Sequence, residues 1–174
     1  MKKILVLFLM FIFVVGCSSK QVELSNYAKG IEATKSKQYE QAINFFNKAV
    51  DEEKNVEIKA SALYNIGFCY GIMKNYEQEI EYYKKSVDAF PDFQAGLYDL
   101  GKYYYDNNNF ESASKIFSHL VEVNDIHEGA YYMLALSQLK LKKNEEAIVN
   151  MKKAAELDSP EAKQFLEQQD KNSI

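Results

Sequence analysis

The sequence predicts an all-α solenoid, in which short helices pair and stack in a row. The first observation is an internal repeat: QYEQAINFFNKAVD, beginning at Gln38, returns 37 residues later as NYEQEIEYYKKSVD, beginning at Asn75. The second is the helical spacing of apolar residues within a copy, at Tyr76, Ile80, Tyr83 and Val87. Helices this short are marginal alone, and repeated units bury their apolar faces against neighbouring copies. The repetition therefore predicts stacked helix pairs.

Four copies align over most of the chain. They share a small residue at Gly30, Gly67, Gly101 and Ala135. Twelve residues later come Ala42, Glu79, Ala113 and Ala147, followed after four more by Phe46, Tyr83, Phe117 and Met151. The pattern resembles the tetratricopeptide repeat (TPR), a helix–turn–helix unit of 34 residues, although the first helix of the first copy keeps only Gly30. The resemblance implies about four units, at residues 23–59, 60–93, 94–127 and 128–160.

Two further features complete the expected solenoid. The stretch from Asp51 to Asn55 accounts for the three extra residues of the first repeat, and predicts a lengthened helix end or loop. After Ser159, a candidate N-cap, Pro160 suits the first turn of a helix. Residues 161–174 are therefore expected to form a short capping helix and tail that shield the last repeat.

The N-terminal residues 1–16 are expected to be a targeting segment. Lys2 and Lys3 precede an unbroken apolar run from Ile4 to Val15. This run is shorter than the roughly 20 residues of a membrane-spanning helix, but it suits the apolar region of a secretory signal peptide.

The four residues Val14-Val15-Gly16-Cys17 resemble a bacterial lipobox. The resemblance implies a lipoprotein that is cut before Cys17, carries acyl chains such as palmitate on that cysteine, and has a short tether over residues 17–22. Two or three acyl chains would hold the protein on a membrane surface. The alternatives are an uncleaved N-terminal anchor or a leader cut at another small residue. Ser18 favours the outer membrane, facing the periplasm, under the sorting habit of diderm bacteria.

Composition and motifs argue against nucleic-acid binding and catalysis. The formal net charge is −4 and the chain contains no arginine, so bidentate recognition of phosphate or guanine is unavailable. No nucleic-acid partner is expected. His119 and His127 belong to no metal-binding or nucleophile-activating motif and are expected to be ordinary exposed side chains. No enzymatic activity, metal or cofactor is expected, and Cys69 is expected to be a small buried hydrophobic residue.

The TPR resemblance implies a concave groove, lined by the first helix of each repeat, that binds a protein segment. The position three residues before each shared small residue is a tyrosine in all four copies: Tyr27, Tyr64, Tyr98 and Tyr132. Further residues expected on this groove are Asn65, Asp99, Lys102, Tyr105 and Met133. A tyrosine row offers rigid contact area for a partner; the alternative is that the rings only pack against neighbouring helices. Asp99 and the lack of arginine disfavour a clamp for a peptide carboxylate.

These features together predict a membrane-anchored TPR scaffold that binds other proteins of the bacterial cell envelope. Lipoproteins of this architecture resemble factors of pilus assembly and of outer-membrane protein assembly. The alternative is an accessory of cell-wall metabolism that binds peptidoglycan or a peptidoglycan enzyme, because aromatic rings stack on sugars as well as on peptides.

Overall fold

The computed structural model describes residues 24–172, and within this range the regular structure is entirely α-helical. The helices are α1 (Asn26–Lys35), α2 (Tyr39–Glu52), α3 (Val56–Ile72), α4 (Tyr76–Ala89), α5 (Gln94–Asp106), α6 (Phe110–Val123), α7 (Glu128–Lys140), α8 (Asn144–Glu156) and α9 (Pro160–Asn172). The predicted leader, the lipobox cysteine and the tether lie outside the described residues. No helix in the described range is long and apolar enough to cross a membrane.

The helices form consecutive antiparallel pairs that stack in chain order. Each odd-numbered helix from α1 to α7 packs on the helix that follows it, and each pair packs on the next. Helix α9 packs on α8, where Ala162, Phe165 and Leu166 cover Met151 and Ala154. The predicted all-α solenoid of helix–turn–helix units with a final helix is confirmed.

The same tight turn joins the two helices of each pair. After α3, the N–H of Lys74 donates to the carbonyl of Gly71 and the N–H of Asn75 to that of Tyr70, both at 2.9 Å, which is the Schellman pattern. Lys74 has a φ of 62°, in the left-handed region that usually favours glycine. The equivalent residues Lys37, Asn108 and Lys142 have φ values of 59°, 60° and 62°. The repeated turn therefore reverses the chain in the same way in every pair.

The shared small residues let the paired helices approach closely. A Cβ built at Gly30 would lie 2.6 Å from Cε1 of Phe46, and one at Gly101 would lie 2.9 Å from Cζ of Phe117. Both phenylalanines are fully buried. These glycines therefore lie at tight helix crossings, where a methyl group would require the facing ring to shift.

The extra residues between the first and second repeats lengthen a helix. Helix α3 has 17 residues, against 13 in α5 and α7. The Asn55 side chain caps its N terminus by accepting hydrogen bonds from the N–H groups of Glu57, at 2.8 Å, and Ile58, at 3.2 Å. The insertion thus extends α3 toward its N terminus.

The hydrophobic core of residues 24–172 is divided along the solenoid. Buried clusters lie within α1–α3, within α5–α7 and within α7–α9. The junction of α4 with α5 is less extensive than those of α2 with α3 and α6 with α7, and it is partly polar. There the buried hydroxyl of Ser86 donates to the carbonyl of Tyr83 at 2.7 Å, and Gly96 lies directly against it.

Candidate protein-binding groove

The tyrosine row predicted from the sequence lies on the first helices of the four pairs. All four side chains are half-buried. Three rings contact an aromatic ring on the second helix of their own pair: Tyr27 with Phe46 at 5.7 Å between centroids, Tyr64 with Tyr83 at 5.0 Å, and Tyr98 with Phe117 at 5.9 Å. The row therefore takes part in packing and also presents ring surface to solvent.

Three recesses follow one another along this row. The first, of about 390 Å³, is lined by Tyr64, Phe68, Glu79, Ile80, Tyr83, Asp99, Lys102, Tyr103 and Asp106; we call it the acidic pocket. The second shares Tyr64 and Asp99 with it and extends to Tyr98 and His127. The third, of about 520 Å³, begins at Tyr98 and continues past Tyr132 to Pro160. Because neighbouring recesses share side chains, they adjoin one another in a row, which we call the groove.

Hydrogen bonds from tyrosine hydroxyls hold two carboxylates in the acidic pocket. Tyr64 Oη donates to Asp99 Oδ2 at 2.7 Å, which joins α3 to α5. Tyr83 Oη donates to Glu79 Oε1 at 3.2 Å within α4. The Tyr64 ring also meets the edge of Phe93, with 5.6 Å between the centroids. These contacts fix the walls of the pocket at the polar junction between the second and third pairs.

Burial and neighbouring negative charge both raise the pKa values of these tyrosines. Burial is the largest cause that raises the pKa of Tyr64, followed by its hydrogen bond to Asp99 and the negative charge of that carboxylate. Burial likewise raises the pKa of Tyr83, and the nearby charges of Glu79 and Asp99 add to the effect. Both hydroxyls therefore remain protonated donors at neutral pH.

We expect these tyrosines to make the fold sensitive to alkali. A group whose pKa is raised on folding stabilises the fold fully below its unfolded-state pKa, about 10 for tyrosine, and this stabilisation is lost as the pH rises toward the folded-state value. Above about pH 10, the part of the increase in tyrosinate absorbance that comes last should therefore coincide with loss of helical circular dichroism. Tyr64→Phe should move this transition to higher pH, and Tyr76→Phe, which removes an exposed hydroxyl, is the matched control. Ionisation of all tyrosines in a fully helical protein would contradict the prediction.

The other predicted groove residues occupy different environments. Asn65 donates to the carbonyl of Ser61 at 2.7 Å and to Tyr27 Oη at 3.4 Å. Lys102 is exposed at the rim of the acidic pocket. The remaining two, Tyr105 and Met133, contribute mainly to packing: Tyr105 meets the edge of Phe110 at 5.4 Å and Met133 is 9% exposed. Met133 still lines the third recess.

His127 is the histidine that differs from the sequence-based expectation. Its ring stacks on Tyr98, with centroids 5.2 Å apart and an interplanar angle of 16°, and its Nδ1 accepts a hydrogen bond from the N–H of Ala130 at 3.2 Å. It is therefore a half-buried N-cap of α7 that lines the groove, and the expectation of an ordinary exposed side chain was wrong. The reason is that a repeat junction also forms the start of the next helix.

Cys69 and His119, the other two side chains considered for chemistry in the sequence, have structural roles. Cys69 is fully buried, as predicted, and burial raises the pKa of its thiol. His119 on α6 lies 3.1 Å from Asp92 Oδ1 and 3.3 Å from the carbonyl of Pro91. Among residues 24–172, no three His, Cys, Asp or Glu side chains converge in the arrangement of a metal site.

Sequence reasoning missed that Glu79 and Tyr83 of α4 contribute to the groove. The signal was present in the alignment of the four copies. Glu79 stands where the other copies have alanine, and Tyr83 carries a hydroxyl group where the other copies have Phe46, Phe117 and Met151. Gly71 makes the arrangement possible, since a Cβ there would collide with the Glu79 carboxylate.

Comparisons with known proteins agree with the helical solenoid fold. A tetratricopeptide-repeat family model matches residues 25–55, and the model of the anaphase-promoting complex, cyclosome, subunit 3 matches residues 73–154. These matches support the TPR family, and the chain is a TPR-like helical solenoid. Proteins of this kind are generally non-catalytic scaffolds. The comparison with curated proteins finds no match.

Several solved structures share the fold. MamA residues 41 to the end from Desulfovibrio magneticus RS-1 is 20% identical, with a TM-score of 0.62 over 76% of this chain and 73% of that one. YrrB, described as a TPR protein with an unusual peptide-binding site, is 16% identical, with a TM-score of 0.62 over 82% and 73%. The first TPR of Spaghetti (RPAP3), bound to the HSP90 peptide SRMEEVD, is 26% identical, with a TM-score of 0.57 over 63% and 89%.

Proposed function

We propose that the protein is a membrane-anchored scaffold that binds a segment of another cell-envelope protein along its tyrosine-lined groove. The observation that carries the proposal is the row of three adjoining recesses, which share Tyr64, Asp99 and Tyr98 as lining residues. A bound segment would contact three successive helix pairs at once. Tyrosine suits this role because its ring gives a large contact area while few rotatable bonds are immobilised.

The similarity to a peptide-bound TPR supports binding of a protein segment. The Spaghetti (RPAP3) domain, 26% identical to this chain, was solved with a peptide bound. The groove described above presents half-buried rings with hydroxyl groups. Such a surface remains soluble when it is empty and packs well when a partner fills it. The scaffold function follows from this passive recognition, without any step of catalysis.

The anchoring part of the proposal rests on the sequence near Cys17. Helix α1 begins at Asn26, so an acylated Cys17 would tether the first helix pair of the solenoid to the membrane surface through a short segment. We place the protein at the outer membrane, facing the periplasm, in pilus assembly or outer-membrane protein assembly. Metabolic labelling with a palmitate analogue tests the anchor: Cys17→Ser should lose the label and move to the soluble fraction, whereas a labelled or membrane-bound variant would contradict it.

Photocrosslinking tests the groove directly. A benzophenone analogue of phenylalanine is introduced in cells at Phe68, which is 40% exposed in the groove, or at Lys102 on its rim. We expect both positions to form adducts with the same partner after irradiation, because one segment should lie along both side chains. The matched control is Val149 on α8, which is 67% exposed and lies outside the three recesses.

The pattern of adducts decides between the candidate functions. A protein adduct from the two groove positions and none from Val149 supports the scaffold. Adducts of equal yield from all three positions, or none from the groove, would contradict it. Adducts that are shortened by muramidase instead of protease would support the cell-wall role that the sequence left open.

A further inference from the structure

We propose that the acidic pocket binds a lysine or arginine side chain of the segment that occupies the groove. This inference rests on the proposed function and specifies the chemistry of the partner. The pocket lies between α3, α4 and α5, in the middle of the solenoid, and is the most charged part of the groove.

The first argument is uncompensated negative charge. Glu79, Asp99 and Asp106 line the pocket, and Lys102 is the single cation among its lining residues. In the described range, the salt bridges of the protein involve none of these four side chains. Asp99 and Glu79 each accept a tyrosine hydrogen bond on one oxygen, which leaves their other oxygens as acceptors for a ligand. The site therefore attracts cations and repels anions.

The second argument is the aromatic lining. Tyr64, Phe68, Tyr83 and Tyr103 surround the carboxylates. Ring faces attract ammonium and guanidinium groups, and the attraction grows when the site excludes water. Carboxylates among aromatic rings thus favour a side chain with an aliphatic stem and a cationic end, which is the shape of lysine and arginine.

The third argument comes from the comparison of the four copies. At the position of Glu79 the other copies have alanine, and these alanines are fully buried. The second copy instead places a carboxylate there, and Gly71, in the last turn of α3, leaves the space that it occupies. A partly buried carboxylate lowers stability unless it is paired. Cation binding explains why Glu79 and Gly71 occur together in this copy, whereas packing alone does not.

The fourth argument concerns the rim of the acidic pocket, which indicates which residues should lie next to the basic residue in the bound segment. Phe68, Ile72 and Tyr76 are 40%, 43% and 63% exposed. An adjoining recess, lined by Tyr76, shares Ile80 and Tyr103 with the acidic pocket. The preferred segment should therefore carry a large apolar residue close to its basic residue. The HSP90 peptide SRMEEVD in the Spaghetti (RPAP3) structure has one arginine, beside a methionine, and three acidic residues, so its arginine fits the pocket while its net negative charge opposes binding.

The test is selection from a random dodecapeptide phage library on the full chain in detergent micelles. The selected peptides are then synthesised, and their affinities are measured by fluorescence polarisation. The pocket variant is Glu79→Gln with Asp99→Asn, which keeps hydrogen-bond acceptors for the two tyrosines. The control is Glu111→Gln with Glu122→Gln on α6, which removes the same charge at a separate surface. Circular dichroism verifies that both variants fold.

We expect the selected peptides to be enriched in lysine or arginine next to an apolar residue. The pocket variant should bind them on the order of tenfold more weakly, in line with the loss of a partly buried charge pair, and the control should bind them as the parent does. Replacing the basic residue of a peptide by norleucine should have a similar effect, and added salt should weaken binding.

Other outcomes separate this inference from the proposed function. Peptides that are neutral or acidic, or that bind the pocket variant as well as the parent, would overturn the inference; the groove function would still stand if Phe68→Ala weakened their binding. Peptides that bind equally to the Phe68→Ala variant, or a selection that yields no binding peptide, would overturn both.

Discussion

Replacement of Phe117 by alanine is expected to lower the free energy of unfolding by about 3–5 kcal/mol. The Phe117 side chain is fully buried among Leu97, Ala113 and Leu134, and its ring lies against Gly101. Glycine has no side chain that could move into the space left by the ring. The cavity should therefore persist, and the loss should include both the transfer term and the cavity term. Urea unfolding followed by circular dichroism measures the change.

A surface substitution provides the comparison for Phe117→Ala. Val149→Ala removes apolar atoms from a side chain that is 67% exposed, and its effect should stay within about 0.5 kcal/mol. A loss of less than about 1 kcal/mol for Phe117→Ala, with an unchanged urea dependence, would show that the core around this ring is loosely packed and would refute the prediction.

The second large effect is expected for Gly67→Val, by overpacking. A Cβ at Gly67 would lie 2.8 Å from Cδ1 of Tyr83 and 2.9 Å from the backbone carbonyl oxygen of Glu79. The ring could turn, but the carbonyl belongs to α4, so the whole crossing of α3 and α4 would have to widen. We expect a loss of about 1–3 kcal/mol, toward the upper end because valine adds more than a methyl group. Thermal and urea unfolding both measure it.

Gly129 offers a matched control, since it is also a helical glycine. A Cβ there would lie 3.3 Å from its nearest neighbour, the hydroxyl oxygen of Tyr98, which can move slightly. Gly129→Ala should therefore be close to neutral, because the better helix propensity of alanine offsets the contact. Equal losses from the two substitutions would indicate that the crossing distance at Gly67 is not the cause.

Most of the fold was predictable because each helix pair repeats the same arrangement of helices and turn. The period of the copies identified the pairs, and the small residue shared by the copies proved to mark the helix crossings, as at Gly30 and Gly101. The side chain of Ser159 accepts a hydrogen bond from the N–H of Ala162 at 3.3 Å, as its predicted role of N-cap requires. Local patterns of this kind need no knowledge of long-range geometry.

The groove was less predictable, because its chemistry depends on contacts between copies. The hydrogen bond from Tyr64 to Asp99 joins residues 35 apart, and only the stacking of one pair on the next brings them together. Similarly, Glu79 differs visibly from its counterparts in the other copies, but its place beside Gly71 depends on the crossing of α3 and α4. Departures from the repeat pattern lie at the site, but only the three-dimensional arrangement shows which side chains they bring together.

The partly polar junction between α4 and α5 has a consequence for cooperativity. In a linear array, stability is roughly the sum of the intrinsic stabilities of the units and their nearest-neighbour interfaces. The junction of α4 with α5 is less extensive than the other junctions between pairs, so unfolding of one half can stop there. The halves on either side are α1–α4 and α5–α9. The acidic pocket bridges this boundary through Tyr64 and Asp99. A segment bound there would hold on to both halves, so it would make them unfold as one unit.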